Sequence, residues 1–258
     1  MNKLKLAIVT FFFLAFEFQA TGKGNRNFDI VLSGDKTAPR VSACAAPEFS
    51  FHLPQMAGNF RIGIANGEQS RWGDELKEVT VKKETEKIVY TLKDPLLNKG
   101  SVIIRVVKLT DSDGIVVEVD SENIPGQVQL VWSFGGCYGK VLDNRITESQ
   151  MKPEYCKNNV FSTEGTAFTA YYGESMRLRT MHGVTPFESE IRLSDAHRQQ
   201  SPLVFFQSGK ETDAPALVAT CPVKAGKKLY FCFYTQNKEA DYYYYMLPAL
   251  FEREFGKK

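Results

Sequence analysis

The chain has 258 residues and a formal net charge of +2, and its basic and acidic residues are interspersed, which argues against nucleic-acid binding. Its length and its hydrophobic fraction of 43% allow one large domain with a sizeable core. The five cysteines are an odd number, so at least one stays unpaired within the chain. No Cys-x-x-Cys or histidine-rich spacing indicates a metal, and no motif indicates a cofactor.

The N-terminus has the pattern of a secretory signal peptide. Lys3 and Lys5 precede an apolar run over residues 6–16, and Ala20 offers a small residue for cleavage. The run is too short for a membrane span, which needs about 20 apolar residues. We therefore predict a signal peptide over residues 1–20 and a protein exported to the periplasm or the extracellular space, with no span in its mature form.

Residues 21–238 have the pattern of an all-β sandwich, because short β-branched and aromatic runs alternate with turn residues. About fourteen such runs are too many for an immunoglobulin-like sandwich and favour two large antiparallel sheets. The predicted strands are Phe28–Leu32, Glu48–Leu53, Phe60–Ala65, Leu76–Lys83, Lys87–Leu92, Ser101–Leu109, Ile115–Asp120, Val128–Phe134, Ala167–Tyr172, Met176–Thr180, Glu188–Leu193, Leu203–Gln207, Ala216–Cys221 and Lys228–Thr235.

One long segment, Gly135–Phe161, has no sustained period, and irregular loops of that length are usually functional or form interfaces. It begins GGCYGK, but Val141 occupies the place where a phosphate loop needs Ser or Thr, so a sharp turn is favoured. Cys137 and Cys156 bracket the loop, and whether they pair in an oxidising compartment stays open.

Aromatic side chains give the clearest indication of binding. Trp132 shares a strand face with Leu130 and Phe134, which predicts core packing, whereas Trp72 follows polar residues in EQSRWGDE. For Trp72, surface contact with a sugar or a neighbouring domain and ordinary packing both stay open. The candidate carbohydrate- or domain-contact residues are Trp72, Tyr138, Asn144, Arg145 and Tyr155.

Catalytic residues are not specified by any spacing. An aldose epimerase would need a histidine acid and a carboxylate base, and His182 with Glu188 or Glu190 could be imagined in those roles. Isolated histidines in strand-rich sequence are more often structural. We therefore assign no catalytic residue and no metal ligand.

The C-terminal segment Glu239–Lys258 has the one clear helical pattern, with a regular helix expected to begin close to Pro248. The helix either folds back on the β-domain or links it to a following domain, and we favour the linker. We expect Tyr243–Leu247 to lie against the sandwich, Phe251–Phe255 to be poorly packed, and the loop Gly135–Phe161 to lie on the same side. The predicted interface residues are Tyr243, Leu247, Leu250, Phe251 and Phe255.

Residues 87–136 and 152–173, with the motifs WSFGG at Trp132–Gly136 and KPEYC at Lys152–Cys156, resemble the family named domain of unknown function 4450. The resemblance runs from about Asn27 to Lys258. It implies a β-supersandwich of the galactose-mutarotase-like type that precedes an (α/α)6 toroid in large exported glycoside-hydrolase-like proteins. In such proteins the toroid supplies the acid and base, so no catalytic residue carries over to this chain.

Three functions follow as expectations. The first is a non-catalytic N-terminal module whose C-terminal linker helix leads into an (α/α)6 domain of the same parent chain, supporting or shaping its carbohydrate site. The second is a stand-alone carbohydrate-binding module with an oligosaccharide as its partner. The third is an aldose-epimerase-like enzyme.

Overall fold

The computed structural model describes residues 17–20, 28–31, 39–53, 56–137, 151–172, 178–209 and 211–257. Their seventeen strands form two antiparallel sheets. The strands are β1 Glu17–Ala20, β2 Phe28–Val31, β3 Arg40–Ala43, β4 Glu48–Leu53, β5 Met56–Asn66, β6 Gln69–Trp72, β7 Glu78–Lys83, β8 Lys87–Lys93, β9 Ser101–Lys108, β10 Gly114–Glu122, β11 Val128–Gly135, β12 Val160–Glu164, β13 Ala167–Tyr172, β14 Arg179–Val184, β15 Arg192–Asp195, β16 Pro215–Pro222 and β17 Leu229–Tyr234.

The nine-stranded sheet has the order β1-β7-β8-β9-β10-β17-β14-β13-β12. The eight-stranded sheet has the order β15-β16-β11-β5-β4-β3-β2, with β6 paired to β5. Three short α-helices complete the described part of the chain: α1 Pro153–Cys156, α2 Pro202–Phe206 and α3 Leu247–Phe255. The prediction of an all-β, two-sheet antiparallel sandwich with a C-terminal helix is therefore confirmed.

The main core lies between the sheets, because alternate residues of each central strand point inward. In β11, Leu130, Trp132 and Phe134 belong to this interior cluster, as the sequence predicted, whereas Val131 points outward. The ring of Phe134 stacks on that of Phe233 in the opposite sheet, at 5.8 Å between centroids. Aromatic contacts across the gap therefore hold the two sheets together.

A second cluster covers the outer face of the nine-stranded sheet, where α3 contacts β9, β10 and β17. A third covers part of the outer face of the eight-stranded sheet and includes Trp72, Cys156 and Phe205 from β6, α1 and α2. Each sheet is thus buried on both faces over part of its area. This explains why several strands are apolar in continuous runs, such as β17 with the sequence LYFCFY.

The prediction of a strand at Leu203–Gln207 was wrong, since this segment is the helix α2. Ser201 caps it by accepting a hydrogen bond from the backbone N–H of Val204, and Pro202 occupies its first turn, which are both helix-start features. The predicted strand Glu188–Leu193 begins only at Arg192. Four strands that the sequence did not predict, β1, β3, β6 and β12, are only four or five residues long.

The N-terminal region is described only in part. Glu17–Ala20 forms β1 and pairs with β7, while residues 1–16 lie outside the described residues. The signal peptide over residues 1–20 stays a prediction. No helix within the described ranges is long and apolar enough to cross a membrane.

Candidate functional site

The C-terminal segment folds back on the β-domain. Leu247, Leu250 and Phe251 of α3 are buried in the cluster on the outer face of the nine-stranded sheet. The Phe251 ring lies 6.0 Å from that of Tyr230 on β17 and stacks at 5.0 Å on that of Phe255. Three of the predicted interface residues, Leu247, Leu250 and Phe251, therefore pack against the β-domain of this same chain.

The packing expected for this segment was right for Leu247, Tyr244 and Met246, which contact the cluster on the sheet, and wrong for Tyr243 and for the last turns. Tyr243, at its start, is 63% exposed, whereas Phe251 is only 2% exposed and Phe255 packs against the same cluster. The reason is that the regular helix begins only at Leu247, with Pro248 in its first turn as predicted, so the apolar stripe faces the sheet from there onward. The residues before it form a 3₁₀ turn, Tyr244–Met246.

A polar network fastens α3 to the turn between β9 and β10. Glu254 is 2% exposed and accepts hydrogen bonds from Thr110 Oγ1 at 3.1 Å, Arg253 Nε at 2.7 Å and Lys257 Nζ at 2.7 Å. Arg253 Nη2 also donates to Asp111 Oδ2 at 2.7 Å. We call this group, Thr110, Asp111, Arg253, Glu254 and Lys257, the helix clamp.

Asp111 also accepts a hydrogen bond from Tyr242, just before the 3₁₀ turn. Burial alone would raise the pKa of the Asp111 carboxyl, but the hydrogen bonds from Tyr242 and Arg253 outweigh it and lower this pKa below its usual value. Burial and the Asp111 charge both raise the pKa of the Tyr242 hydroxyl. Asp111 is thus ionised and Tyr242 neutral at ordinary pH, which is the charge state this bond needs.

Beside the start of this segment lies an exposed aromatic pair. Phe187, in the turn after β14, is 61% exposed, and Tyr245 is 76% exposed. Their ring centroids lie 6.3 Å apart, with 40° between the ring planes. We call these two side chains the aromatic platform.

Hydrogen bonds connect the turn that carries Phe187 to the residues beneath it in the fold. The backbone N–H of Ser189 donates to Pro186 O at 2.9 Å, and Ser189 Oγ accepts a hydrogen bond from the Trp132 indole Nε1 at 3.2 Å. Thr185 N and Oγ1 both donate to Thr166 O. The exposed ring of Phe187 therefore stands on a turn fixed to the interior core.

Charged groups flank the platform. Glu188 forms an ion pair with Lys227, in the hairpin between β16 and β17. The hydrogen bond from Lys227 is the main reason that the pKa of Glu188 is lowered, with a further contribution from Lys224. Burial raises the pKa of the Tyr244 hydroxyl, and the negative charge of Glu188 raises it further. The platform and this ion pair are thus neighbours.

A family model described as Domain of unknown function (DUF4450) matches residues 53–254, well over half of the chain. The chain belongs to this family. The resemblance noted from the two sequence motifs is therefore confirmed.

Among solved structures, the DUF4450 domain is similar to the crystal structure of a bacterial glucoamylase complexed with acarbose. The TM-score is 0.52 and the sequence identity is 10%, so this likeness establishes the fold alone. The match covers 93% of this chain but only 39% of the glucoamylase chain. No curated protein matches the domain.

Trp72 is not a surface residue of this DUF4450 domain. Its indole is buried, donates from Nε1 to Gln199 O at 2.8 Å and packs against Phe205 of α2, with the Arg61 guanidinium 4.3 Å from the ring centroid. Of the two alternatives for Trp72, ordinary packing is confirmed, and surface contact with a sugar or another domain is wrong. The physical reason is that α2, which the sequence did not predict, covers it.

The other predicted contact residues lie in the long loop. Tyr155 is half-buried on α1, next to the buried Cys156. Tyr138, Asn144 and Arg145 lie outside the described residues. The described part of the loop packs on the eight-stranded sheet, whereas α3 packs on the nine-stranded sheet. For these residues, the expectation that loop and helix share one side of the molecule was wrong.

Cys137 and Cys156 are free thiols in this structure, as are the other three cysteines. Cys156 Sγ instead accepts a hydrogen bond from the backbone N–H of Gly136 at 3.3 Å. Burial raises the pKa of the Cys156 and Cys221 thiols to about 12. These thiols are therefore protonated core groups with no nucleophilic character at neutral pH.

His182 is held in a structural role. Its Nδ1 lies 3.2 Å from Thr169 Oγ1 and its Nε2 lies 3.1 Å from Thr180 Oγ1, so both ring nitrogens have partners. Burial lowers the pKa of the ring. Glu188 pairs with Lys227 and Glu190 with Arg192. The structure therefore does not bring these residues together as an epimerase acid and base.

A buried polar row crosses the outer face of the eight-stranded sheet. Asn59 Nδ2 donates to Glu48 Oε1 and to Ser50 Oγ, both at 3.0 Å, and Arg61 is the cross-strand neighbour of both Glu48 and Ser133. Ser133 Oγ is buried and has no hydrogen-bond partner within the described ranges. The row fixes the register of β4 on β5, because a slip would leave its polar groups unpaired.

A metal site would need several metal-binding side chains close together. Across the described ranges, no cluster of three or more His, Cys, Asp or Glu side chains could hold a metal ion. Among the described residues, the aromatic platform and the helix clamp are two features that call for a functional explanation. The sequence singled out neither Phe187 nor Glu254. A phenylalanine in the polar turn TPFESE was the one signal that could have pointed to Phe187.

Proposed function

We propose that this DUF4450 domain is a non-catalytic β-sandwich module of an exported glycoside-hydrolase-like protein. It supports a following (α/α)6 domain and shapes the carbohydrate site of that domain. The observation that carries the proposal is the unequal coverage of the fold match. Nearly all of this chain corresponds to well under half of a glucoamylase chain.

The helix clamp gives this proposal a physical form. A domain that follows a flexible tail moves freely, whereas one that follows a docked helix is held in a restricted orientation. Glu254 and Phe251 dock α3 on the sheet through a buried charge network and an aromatic contact. The module would then act as a fixed base for the domain beyond α3.

The first test is an assay of this chain alone. We expect no hydrolysis of a panel of aryl α- and β-glycosides, and no mutarotation of galactose by polarimetry beyond the rate with heat-denatured protein. Turnover that disappears in His182→Ala would contradict the proposal and favour an epimerase.

The second test uses the parent protein, identified by translating the coding sequence after Lys258. We expect several hundred residues of helical sequence. We also expect Phe251→Ala to lower the midpoint of thermal inactivation of the parent's hydrolase activity, because α3 is loosened. A parent whose helical domain alone keeps the full activity and the same midpoint would show that the module supports nothing.

A further inference from the structure

The aromatic platform is unusual because its two rings come from distant parts of the chain and meet in the open. Phe187 belongs to the turn after β14 and Tyr245 to the 3₁₀ turn before α3, yet their centroids lie 6.3 Å apart. Both are more than half exposed. Single exposed apolar side chains need no explanation, but a preassembled pair of exposed rings is typical of a binding surface.

Both supports of the platform are rigid. The Phe187 turn is fixed to Trp132 through Ser189, and Tyr245 is followed two residues later by the fully buried Leu247. The Tyr244 ring packs edge-on against Tyr245, at 6.2 Å and 70°. A ligand would therefore meet rings that are already placed, and little conformational entropy would be lost on binding.

The surroundings favour a sugar over a protein. Charged side chains lie beside the platform: Glu188, which follows Phe187 in the chain, its ion-pair partner Lys227, and Lys224, whose charge acts on Glu188. Protein–protein interface cores are depleted in charge, and a stable interface buries about 1,200–2,000 Å², which is far larger than two rings provide. A pyranose has an apolar C–H face that suits an aromatic ring, and hydroxyls that suit neighbouring ammonium and carboxylate groups.

We propose that the aromatic platform is a carbohydrate-binding site for a pyranose unit of an oligosaccharide. The sugar stacks on Tyr245 and Phe187. Its hydroxyls accept hydrogen bonds from the half-exposed Lys227 ammonium, which Glu188 holds in place. The site does not depend on the proposed supporting role, since it would also serve a module that binds sugar by itself.

The test is isothermal titration of the full chain with four neutral probes: maltoheptaose, cellohexaose, xylohexaose and mannohexaose. We expect at least one probe to bind. Tyr245→Ala and Phe187→Ala should each weaken that binding at least tenfold, because removal of one ring removes a stacking face. Lys227→Ala should weaken it several-fold, whereas Lys227→Arg should restore most of it.

Tyr243→Ala is the matched control. Tyr243 is another exposed tyrosine, two residues from Tyr245, but within the described ranges it has no ring contact with Phe187. We expect it to bind the probe like the unmodified chain. Thermal midpoints within about 2 °C of one another would show that the exposed-residue variants fold.

Three outcomes would overturn the proposal. The first is no binding of any probe at millimolar concentration. The second is equal binding by the Tyr245→Ala and Phe187→Ala variants, which would place the site elsewhere. The third is self-association of the chain in sedimentation that Tyr245→Ala abolishes, because the platform would then be a protein contact.

Discussion

One side chain, Glu254, joins the helix to the sheet. It accepts hydrogen bonds from a threonine of the β9–β10 turn and from two cations of the C-terminal segment, and it is almost fully buried. A buried carboxylate with several donors directs its hydrogen-bond partners. The position of α3 is therefore set by charge geometry as well as by apolar contact.

Glu254→Gln tests this role. The amide keeps the shape of the carboxylate but loses its charge, and its NH2 group faces the donors Arg253 and Lys257. We therefore expect the free energy of unfolding to fall by about 1–3 kcal/mol relative to the unmodified chain. Glu252→Gln, on the exposed face of the same helix, should stay within about 0.5 kcal/mol. Urea denaturation measures both. Equal effects would mean that the clamp contributes nothing specific.

Residues also differ in how far the sequence predicts their environment. Trp132 lies in a strand with clear alternation, so its burial could be inferred from Leu130 and Phe134 alone. Trp72 ends a four-residue strand and is covered by α2, more than 120 residues later in the chain. Nothing near it in sequence indicates that cover, so its burial could not be predicted.

Among the elements, α3 shows how a short helix gains stability from its surroundings. A nine-residue helix is marginal in isolation, and most of its stability comes from packing one apolar face. Here that face lies on β9, β10 and β17, and the clamp ties the last turn of the helix to the turn between β9 and β10. The helix is therefore part of the folded domain.

Hydrogen exchange of α3 should depend on pH through Asp111. Its pKa is lowered in the folded state, so its contribution to stability is complete above the unfolded value near 3.8 and is lost as the pH falls through the lower folded value. We expect the protection factors of Leu250–Phe255 to be high at neutral pH and to fall as the pH drops below about 4. Asp111→Asn should lower protection at neutral pH and remove most of this pH dependence.

Weak protection of these amides at neutral pH would contradict the docked helix. The element-level prediction from sequence had the helix right, but the packing of its last turns was wrong. Periodicity shows which residues share a face, but it does not show which surface that face meets. The apolar outer face of the nine-stranded sheet is visible only once β10 and β17 are paired.

At the scale of the whole molecule, the interior apolar cluster shares strands with each of the two outer clusters. In β11, Trp132 faces the interior cluster and Val131 the outer one, and β5 and β16 alternate in the same way. Removal of one cluster therefore exposes strands that the other needs. We infer that the outer layer under α2 and the interior core unfold together.

The two tryptophans allow a direct test. Trp72→Phe leaves only the interior Trp132 as a reporter, and Trp132→Phe leaves only Trp72, beneath α2. In each variant we expect the urea midpoint from fluorescence to equal the midpoint from far-ultraviolet circular dichroism. An earlier fluorescence change in the Trp132→Phe variant would show that the outer layer opens separately.

The sequence predicted the fold class because strand signals and turn residues are local. The aromatic platform could not be predicted, because Phe187 and Tyr245 are 58 positions apart and meet only in the folded chain. The clamp is similar, since Thr110 and Glu254 are joined across 144 positions. Local patterns determine the layers, whereas the sites depend on which layers meet.

The buried thiols give the folded domain a chemical property of its own. Cys137, Cys156, Cys221 and Cys232 are shielded from solvent, and burial raises the pKa of each thiol. Alkylating reagents attack accessible thiolates. These four thiols therefore do not react until the structure around them opens. Their labelling rates therefore report opening of the fold at four places: just after β11, in α1, in β16 and in β17.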